Sequence, residues 1–300
     1  MNRNNIHKRG YDFDLLQNKY PAIIPYIITT KDGKQSINFA DPKAVKILNT
    51  ALLFTHYQIK YWHFSDEHLC PAIPGRVDYI HYLNDLLDKE GIKNTTILDI
   101  GTGASVIYPL LGQTVAKWKF VATDITQKTL EKAQKIIKTN KLDKFIKLRH
   151  QTDKSAIFKG IIKKTDSFAA SMCNPPFYSS LEEANKATSQ KLKGLAKSKK
   201  TDIAQDNGLI EKKIQKPQRN FSGKNNELWY KGGEKAFVHN YLYESSFYKD
   251  QVNWFSILVS NKKNIKSMQL SLEKLGATSI KTIPMQHGNK ITRIVAWTFL

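Results

Sequence analysis

A chain of 300 residues with 41% hydrophobic side chains is long enough for one large domain, or for one domain with a substantial extension, and has enough apolar residues for a real core. Two cysteines, Cys70 and Cys173, exclude a disulfide framework, no apolar run approaches a membrane span, and the polar, basic residues 1–10 lack the apolar stretch of a secretory signal, so a reducing, cytoplasmic setting is expected. Lys and Arg outnumber Asp and Glu by 47 to 26, and the net charge of +21 reads equally as a solubilising lysine-rich surface or as the mark of a polyanionic partner such as nucleic acid.

Residues 1–90 read as mostly helical, with apolar residues at helical spacing over 13–20, 42–54 and 77–87. Pro42 after Asp41 suits a capped helix start. From residue 95 strands and helices alternate. Strands are predicted over 95–100, 119–125, 146–150 and 167–173, with a helix over 127–140. A helix over 233–248, a strand over 252–259 and a helix over 265–275 follow. Two last strands, 278–285 and 291–299, are joined by His287-Gly288-Asn289. This pattern is an α/β parallel sheet that closes on an antiparallel hairpin. Residues 184–226 break the rhythm, because they are rich in Lys, Ser, Gln and Asn. Their eleven basic residues between Lys186 and Lys224 fit a phosphate-binding arm or, equally, a solvated loop.

Asp99-Ile100-Gly101-Thr102-Gly103-Ala104-Ser105 follows the first long strand and opens a helix. Glycine there permits a sharp turn and close approach of a ligand to backbone N–H groups. Asp124 stands 21 residues after Gly103, at the end of the next strand, where an acid accepts the hydroxyls of a ribose. Val106 replaces the third glycine of a dinucleotide fingerprint, which disfavours NAD and favours a nucleoside cofactor without a pyrophosphate, such as S-adenosylmethionine. Taken singly, Asp99 reads as a capped turn and Asp124 as a solvated strand end. Their order and spacing together favour a cofactor site.

Asn174-Pro175-Pro176-Phe177 follows the strand expected to lie beside the first. Ligands of open α/β sheets bind at the carboxyl ends of such strands. An amine conjugated to an aromatic ring is a poor nucleophile. The Asn174 side-chain oxygen and the Pro175 carbonyl can each accept one of its N–H bonds and turn the nitrogen lone pair toward a sulfonium methyl. Pro176 stiffens the turn and Phe177 offers a face for a base to stack on. The tetrapeptide specifies a planar amine or amide nitrogen and leaves adenine, guanine and glutamine open.

The stretch 99–105, Tyr108-Pro109-Leu110 and Asn174 to Phe177 resemble the adenine-N6 RNA methyltransferases of the bacterial 23S ribosomal RNA type, whose eukaryotic relatives methylate a spliceosomal RNA. Further matching stretches are Arg3-Asn4-Asn5, 38–42, 74–81, Glu227-Leu228-Trp229, Gly232-Gly233-Glu234 and 296–299, so the resemblance covers nearly the whole chain. It implies a Rossmann-like seven-stranded class I methyltransferase domain over 91–300. The helical extension over 1–90 would bind RNA and act as lid to the cofactor site. It further implies that Arg76 meets the cofactor carboxylate, that Asp99, Gly101, Gly103 and Asp124 hold the rest of S-adenosylmethionine, and that Ser155 supplies a hydroxyl. Arg3, Lys8 and Arg9, with Phe177, would contact RNA. The implied substrate is 23S ribosomal RNA or a large-subunit assembly intermediate, and the expected state is a monomer. The chain stops at Leu300, just after the last strand, without the added C-terminal region of the eukaryotic relatives, which favours the bacterial form.

Two rivals share the nitrogen chemistry: a glutamine-N5 methyltransferase of a translation or ribosomal protein, and a guanine-N2 ribosomal RNA methyltransferase. A third is an RNA-binding protein with a decayed cofactor site, which the intact Asp99, Gly101, Gly103, Asp124 and Asn174 oppose. His63, His68 and Cys70 fit no common zinc spacing, so no metal is expected. Cys173 is expected to be a buried strand residue, and Trp229, Tyr230 and Lys231 to border the base pocket or to pack in the core.

Overall fold

The computed structural model describes residues 1–66, 68–176, 178, 180, 182–183, 230–287 and 290–300. Phe177, residues 184–226, the stretch 227–229 and Gly288-Asn289 lie outside the described residues.

The N-terminal part carries α1 (Phe13–Lys19), a small antiparallel hairpin of β1 (Ile27–Thr29) and β2 (Gln35–Ile37), then α2 (Pro42–Tyr57) and α3 (Ile73–Lys89). The hairpin departs from the mostly helical expectation: it is only three residues per strand, too short for a two-residue period to show. Asp41 caps α2 as its sequence suggests, with its side chain accepting from Lys43 N–H at 2.9 Å and Pro42 in the first turn.

Next come β3 (Thr96–Ile100), α4 (Ile107–Ala116), β4 (Lys119–Asp124), α5 (Gln127–Thr139), β5 (Ile146–His150) and β6 (Phe168–Cys173). The chain closes with α6 (Gly233–Ser245), β7 (Val252–Val259), α7 (Lys263–Lys274), β8 (Ser279–His287) and β9 (Lys290–Thr298). Seven strands form one sheet in the order β5-β4-β3-β6-β7-β9-β8, parallel except for β9, which runs antiparallel to both β7 and β8. This is the expected Rossmann-like class I arrangement. The chain builds outward from β3 to β5, then restarts on the other side of β3 with β6. The topological switch therefore lies between β3 and β6.

Each face of the sheet buries its own apolar layer. One joins Ile97, Ala122 and Met172 to side chains of α2, α3, α4 and α5. The other joins Leu98, Ile100, Cys173 and Phe255 to Tyr241 of α6 and Met268 of α7. Strand alternation then decides where the polar residues go. Asp99 shares a face with Ile97, toward α3, whereas Ser171 shares a face with Cys173, toward α6.

The first residues are tied down rather than trailing. Asn2 N–H donates to Asp78 Oδ1 at 2.7 Å, and Asn5 Nδ2 donates to the same oxygen and to the Pro74 carbonyl, both at 2.9 Å. His7 Nε2 meets Tyr57 Oη at 2.8 Å. Asn2, Asn5 and His7 are buried, while Arg3, Lys8 and Arg9 beside them are exposed.

Candidate active site

Register alone brings the two motifs together. Ile100 lies opposite Cys173 in the parallel β3–β6 pair, so Gly101 and Asn174 leave neighbouring strands at the same level, about 5 Å apart by strand spacing. On the other side Ile100 faces Thr123, which sets Asp124 level with the same loop.

The glycine loop is held by β4. Thr102 N–H donates to the Thr123 carbonyl at 2.8 Å, and Gly103 N–H donates to Asp124 Oδ2 at 3.2 Å. Asp124 Oδ1 accepts from Thr126 N–H at 2.9 Å. Gly101 and Gly103 both take positive φ, 74° and 65°, which is where the conformational freedom of glycine is required. The space where a Cβ of Gly101 would stand is open to 4 Å. Val106, at φ 45°, also adopts the left-handed region, a strained choice for a β-branched residue. The helix α4 therefore starts at Ile107, after a further turn, and not directly at Ser105.

A strap from the N-terminal part braces this turn. Trp62 is buried, and its indole N–H donates to the Ser105 carbonyl at 2.9 Å, immediately before Val106. The side chain of Asn140 accepts from the N–H of Lys60 and Tyr61 and donates to the Tyr61 carbonyl. Lys132 Nζ reaches Ser65 Oγ at 2.8 Å. Reading the sequence missed Trp62, because the bond joins residues 43 apart and no local pattern marks it.

Asp99 is 1% exposed, and neither carboxylate oxygen has a hydrogen-bond partner among the described residues. It is thus not the cap of its own turn. Burial pushes its pKa up to about 7, and the nearby Asp124 adds to this, while Thr102 and Arg76 pull it down. The Thr102 hydroxyl acts on it electrostatically without completing a hydrogen bond, since that oxygen too is buried and unpaired. Arg76, in the first turn of α3, is half-buried; its Nη1 donates to Tyr108 Oη at 2.7 Å, and its guanidinium lies 5.4 Å from the centre of that ring. Burial pushes the Tyr108 phenol up to about 12, so it stays protonated.

Asn174 Oδ1 is likewise buried with no partner among the described residues. Pro175 is buried and Pro176 half-buried beside it. The strand beneath is fixed by a run of hydroxyls through the sheet. Tyr79 of α3 meets Ser256 Oγ at 2.9 Å, which donates to the Ser171 carbonyl at 2.7 Å, and Ser171 Oγ meets Tyr241 Oη of α6 at 2.8 Å. Cys173 is buried, with its thiol pKa pushed well up by burial, so it is no nucleophile. Past the turn, Tyr230 N–H donates to the Tyr178 carbonyl at 3.0 Å, which places the start of α6 beside the Asn174 turn.

Ser155 stands in the loop after β5, which begins beside Asp124 where Gln151 N–H donates to the Asp124 carbonyl at 3.0 Å. It is exposed, its Oγ donates to Asp153 Oδ1 at 2.5 Å, and its carbonyl accepts from Asn240 on α6. No described hydrogen bond links it to the glycine loop. His63 is exposed, His68 is buried beside Lys132, and Cys70 accepts from Asn49 Nδ2. Among the described residues no group of His, Cys, Asp and Glu is arranged to hold a metal ion, and no helix is long and apolar enough to cross a membrane.

Comparison with known proteins agrees across the chain. A family model described as RNA methyltransferase matches residues 1–300. The chain is 46% identical over 304 residues to a protein named ribosomal RNA large subunit methyltransferase F from Flavobacterium johnsoniae, covering 99% of this chain and 92% of the relative. It is 46% identical over 301 residues to the protein of that name from Christiangramia forsetii, covering all of both. Among solved structures, the human METTL16 catalytic domain in complex with a MAT2A 3′UTR hairpin superposes with a TM-score of 0.80 at 28% identity, covering 100% of this chain and 96% of that one. The N-terminal domain of human METTL16 in complex with SAH gives 0.77 at 26% identity, covering 100% and 99%.

Proposed function

The chain belongs to the RNA methyltransferase family, and from that premise we propose that it methylates the N6 amine of one adenine in 23S large-subunit ribosomal RNA, with S-adenosylmethionine as methyl donor. Relatives at 46% identity named for the large-subunit RNA support the substrate, and the SAH complex of a structural neighbour supports the cofactor. The observation that carries the reading is the buried, unpaired Oδ1 of Asn174 at the mouth of the switch between β3 and β6.

The residues present fit the cofactor. Asp99 offers two unpaired carboxylate oxygens and Thr102 an unpaired hydroxyl, in a buried place where an unmatched polar atom is costly. The open space over Gly101 admits a ligand close to the backbone. We assign the ribose to Asp124, whose carboxylate already orients the loop, and the cofactor carboxylate to Arg76, which Tyr108 holds in place. Gly101 and Gly103 supply the close approach. Ser155, whose exposed hydroxyl donates to Asp153 and keeps its acceptor lone pairs, is assigned a contact at the rim of this set. S-adenosylmethionine, when bound, supplies an electrophilic methyl group.

The chain then has to present a weak nucleophile. An exocyclic amine has its lone pair delocalised into the ring. Asn174 Oδ1 and the Pro175 carbonyl accept its two N–H bonds, which localises and aims the lone pair. No strong base is needed, because the nitrogen gives up a proton to water after the methyl has transferred. Phe177 is assigned the stacking face for the base on sequence grounds. Arg3, Lys8 and Arg9, exposed on an N-terminus whose neighbours are anchored to α3, are assigned to RNA phosphates. Residues 1–90 would form the RNA-binding extension and 91–300 the methyltransferase domain. We place the protein in the cytoplasm, acting as a monomer.

The test is direct. The purified chain is incubated with labelled cofactor and either deproteinised ribosomal RNA or total protein, and the methylated residue is identified by mass spectrometry. N6-methyladenine in 23S RNA is expected. N2-methylguanine, or label in a glutamine side chain, would overturn the adenine assignment.

A further inference from the structure

The connection from β5 to β6, residues 151–167, carries no helix and packs against α6 through Ile157, Phe158 and Ile161. The Glu244 carboxylate near the end of α6 fastens it by accepting the backbone N–H groups of Ile157, Phe158 and Lys159 at 2.8 to 3.1 Å. Beside this anchor a cavity of about 450 Å³ opens to solvent, lined by Asp153, Ser155, Lys159, Asn240, Tyr243 and Phe247 among others. It shares no residue with the glycine loop or the Asn174 turn.

Two features make it more than a surface dent. Tyr243 and Phe247 are 57% and 63% exposed, and their rings stand perpendicular with centroids 5.0 Å apart. They form a rigid aromatic corner that the fold leaves uncovered among the described residues. The second feature is Lys159, an exposed cation on the wall of the cavity. Lys154 and Lys249 are exposed next to lining residues in the sequence, and the two carboxylates of the same wall are held by the protein, Asp153 by Ser155 and Glu244 by backbone N–H groups.

We propose that this cavity is a second RNA contact, in which an unpaired base stacks on Phe247 or Tyr243 while its phosphate meets Lys159. The proposal rests on RNA being the substrate. An aromatic face accepts any base, and flanking lysines hold the backbone, which is the usual chemistry of sequence-tolerant single-strand binding. Tyr243 lies ten residues beyond Gly233 on the same helix, about 15 Å along its axis from the end that adjoins the Asn174 turn. The base held here therefore belongs to a nucleotide flanking the target and not to the target.

The double variant Tyr243→Ala/Phe247→Ala tests this in the full chain. Its Kd for deproteinised 23S RNA and its KM for that RNA should rise together, by about 5- to 100-fold for the loss of one stacked base. Affinity for SAH, and kcat at saturating RNA, should not move. Lys159→Ala should reduce the slope of log Kd against log salt by about 0.7. Ultraviolet crosslinking of the unmodified protein to the RNA, followed by peptide mapping, should place a crosslink at Tyr243 or Phe247. An unchanged Kd with no crosslink there would overturn the proposal. Failure of the unmodified protein to methylate any RNA would instead sink the substrate reading, and the two failures are told apart by the unmodified control.

Discussion

Asp99 and Asp124 end neighbouring strands and face the same loop, yet they are treated differently by the fold. Asp124 has partners in the protein itself: one oxygen accepts Gly103 N–H and the other Thr126 N–H. Asp99 is buried with both oxygens unpaired among the described residues, and Asn174 Oδ1, one strand away, shares that condition. A buried acceptor without a donor costs about 1 to 3 kcal/mol, so a fold that keeps several in one crevice is arranged for donors that arrive from outside. The contrast separates two tasks. Asp124 shapes the loop before any ligand comes, whereas Asp99 and Asn174 are the acceptors we propose for one.

The largest expected effect breaks the comparison at Asn174. Asn174→Ala should lower the methyl-transfer rate by about 10²- to 10³-fold, the usual cost of one well-placed acceptor in a transition state. SAH affinity by calorimetry should stay nearly unchanged, because the residue is assigned to the target amine. Parallel collapse of cofactor binding would show that assignment to be wrong. Asp124→Ala should act in the opposite order. Loss of a charged acceptor is worth roughly 1.5 to 3 kcal/mol, so SAH should bind about 10- to 100-fold more weakly, with turnover recovered in part at high cofactor concentration. Equal affinity in the variant would take Asp124 out of the cofactor site.

Much of this was legible before any coordinates. The strands from β3 to β9 and the helices after β4 stand within two or three residues of where the sequence puts them; the central strands are runs of β-branched and apolar residues, and α5 and α7 are strongly amphipathic. The proximity of the two motifs was also legible, since Gly101 and Asn174 follow strands whose neighbourhood the βαβ rules dictate. What sequence could not show were bonds between distant residues. Trp62 reaching Ser105, and Asn2 reaching Asp78, leave no local trace. The role of Arg3-Asn4-Asn5 is a case in point. Asn5 is an internal anchor, while Arg3, Asn4 and Ile6 around it face solvent. Whether an acceptor is satisfied is equally invisible in sequence, and that difference is what distinguishes Asp99 from Asp124.

Next in size is a pH effect at Asp99. Burial raises its folded-state pKa to about 7, above the ordinary carboxylate value near 4. The protonated carboxyl thus favours the folded, ligand-free protein. That contribution is full below the ordinary value and is lost as pH rises through about 7. The ligand-free protein should therefore melt at lower temperature at pH 8 than at pH 6. The cationic cofactor favours the ionised form, so its Kd should tighten about tenfold over the same interval. Asp99→Asn should flatten the profile. A Kd independent of pH in the unmodified protein would exclude a direct contact between Asp99 and the cofactor.

The smallest expected effect sharpens the idea that the loop is shaped in advance. Trp62→Phe keeps a large ring in the packed strap beside Phe64 and removes only the indole N–H that the Ser105 carbonyl accepts. One such bond contributes about 1 kcal/mol, or roughly fivefold in an equilibrium constant. If the bond serves to hold the strained turn at Val106, the penalty should appear in cofactor binding: SAH should bind about fivefold more weakly, with kcat at saturating cofactor and RNA unchanged. If Trp62 merely packs, the melting temperature should fall instead while the Kd stays where it was. The first outcome would place a residue of the N-terminal part among those that position the cofactor loop. It would also give residues 1–90, which we propose contact RNA, a mechanical route to cofactor affinity, because the strap between α2 and α3 reaches the glycine turn.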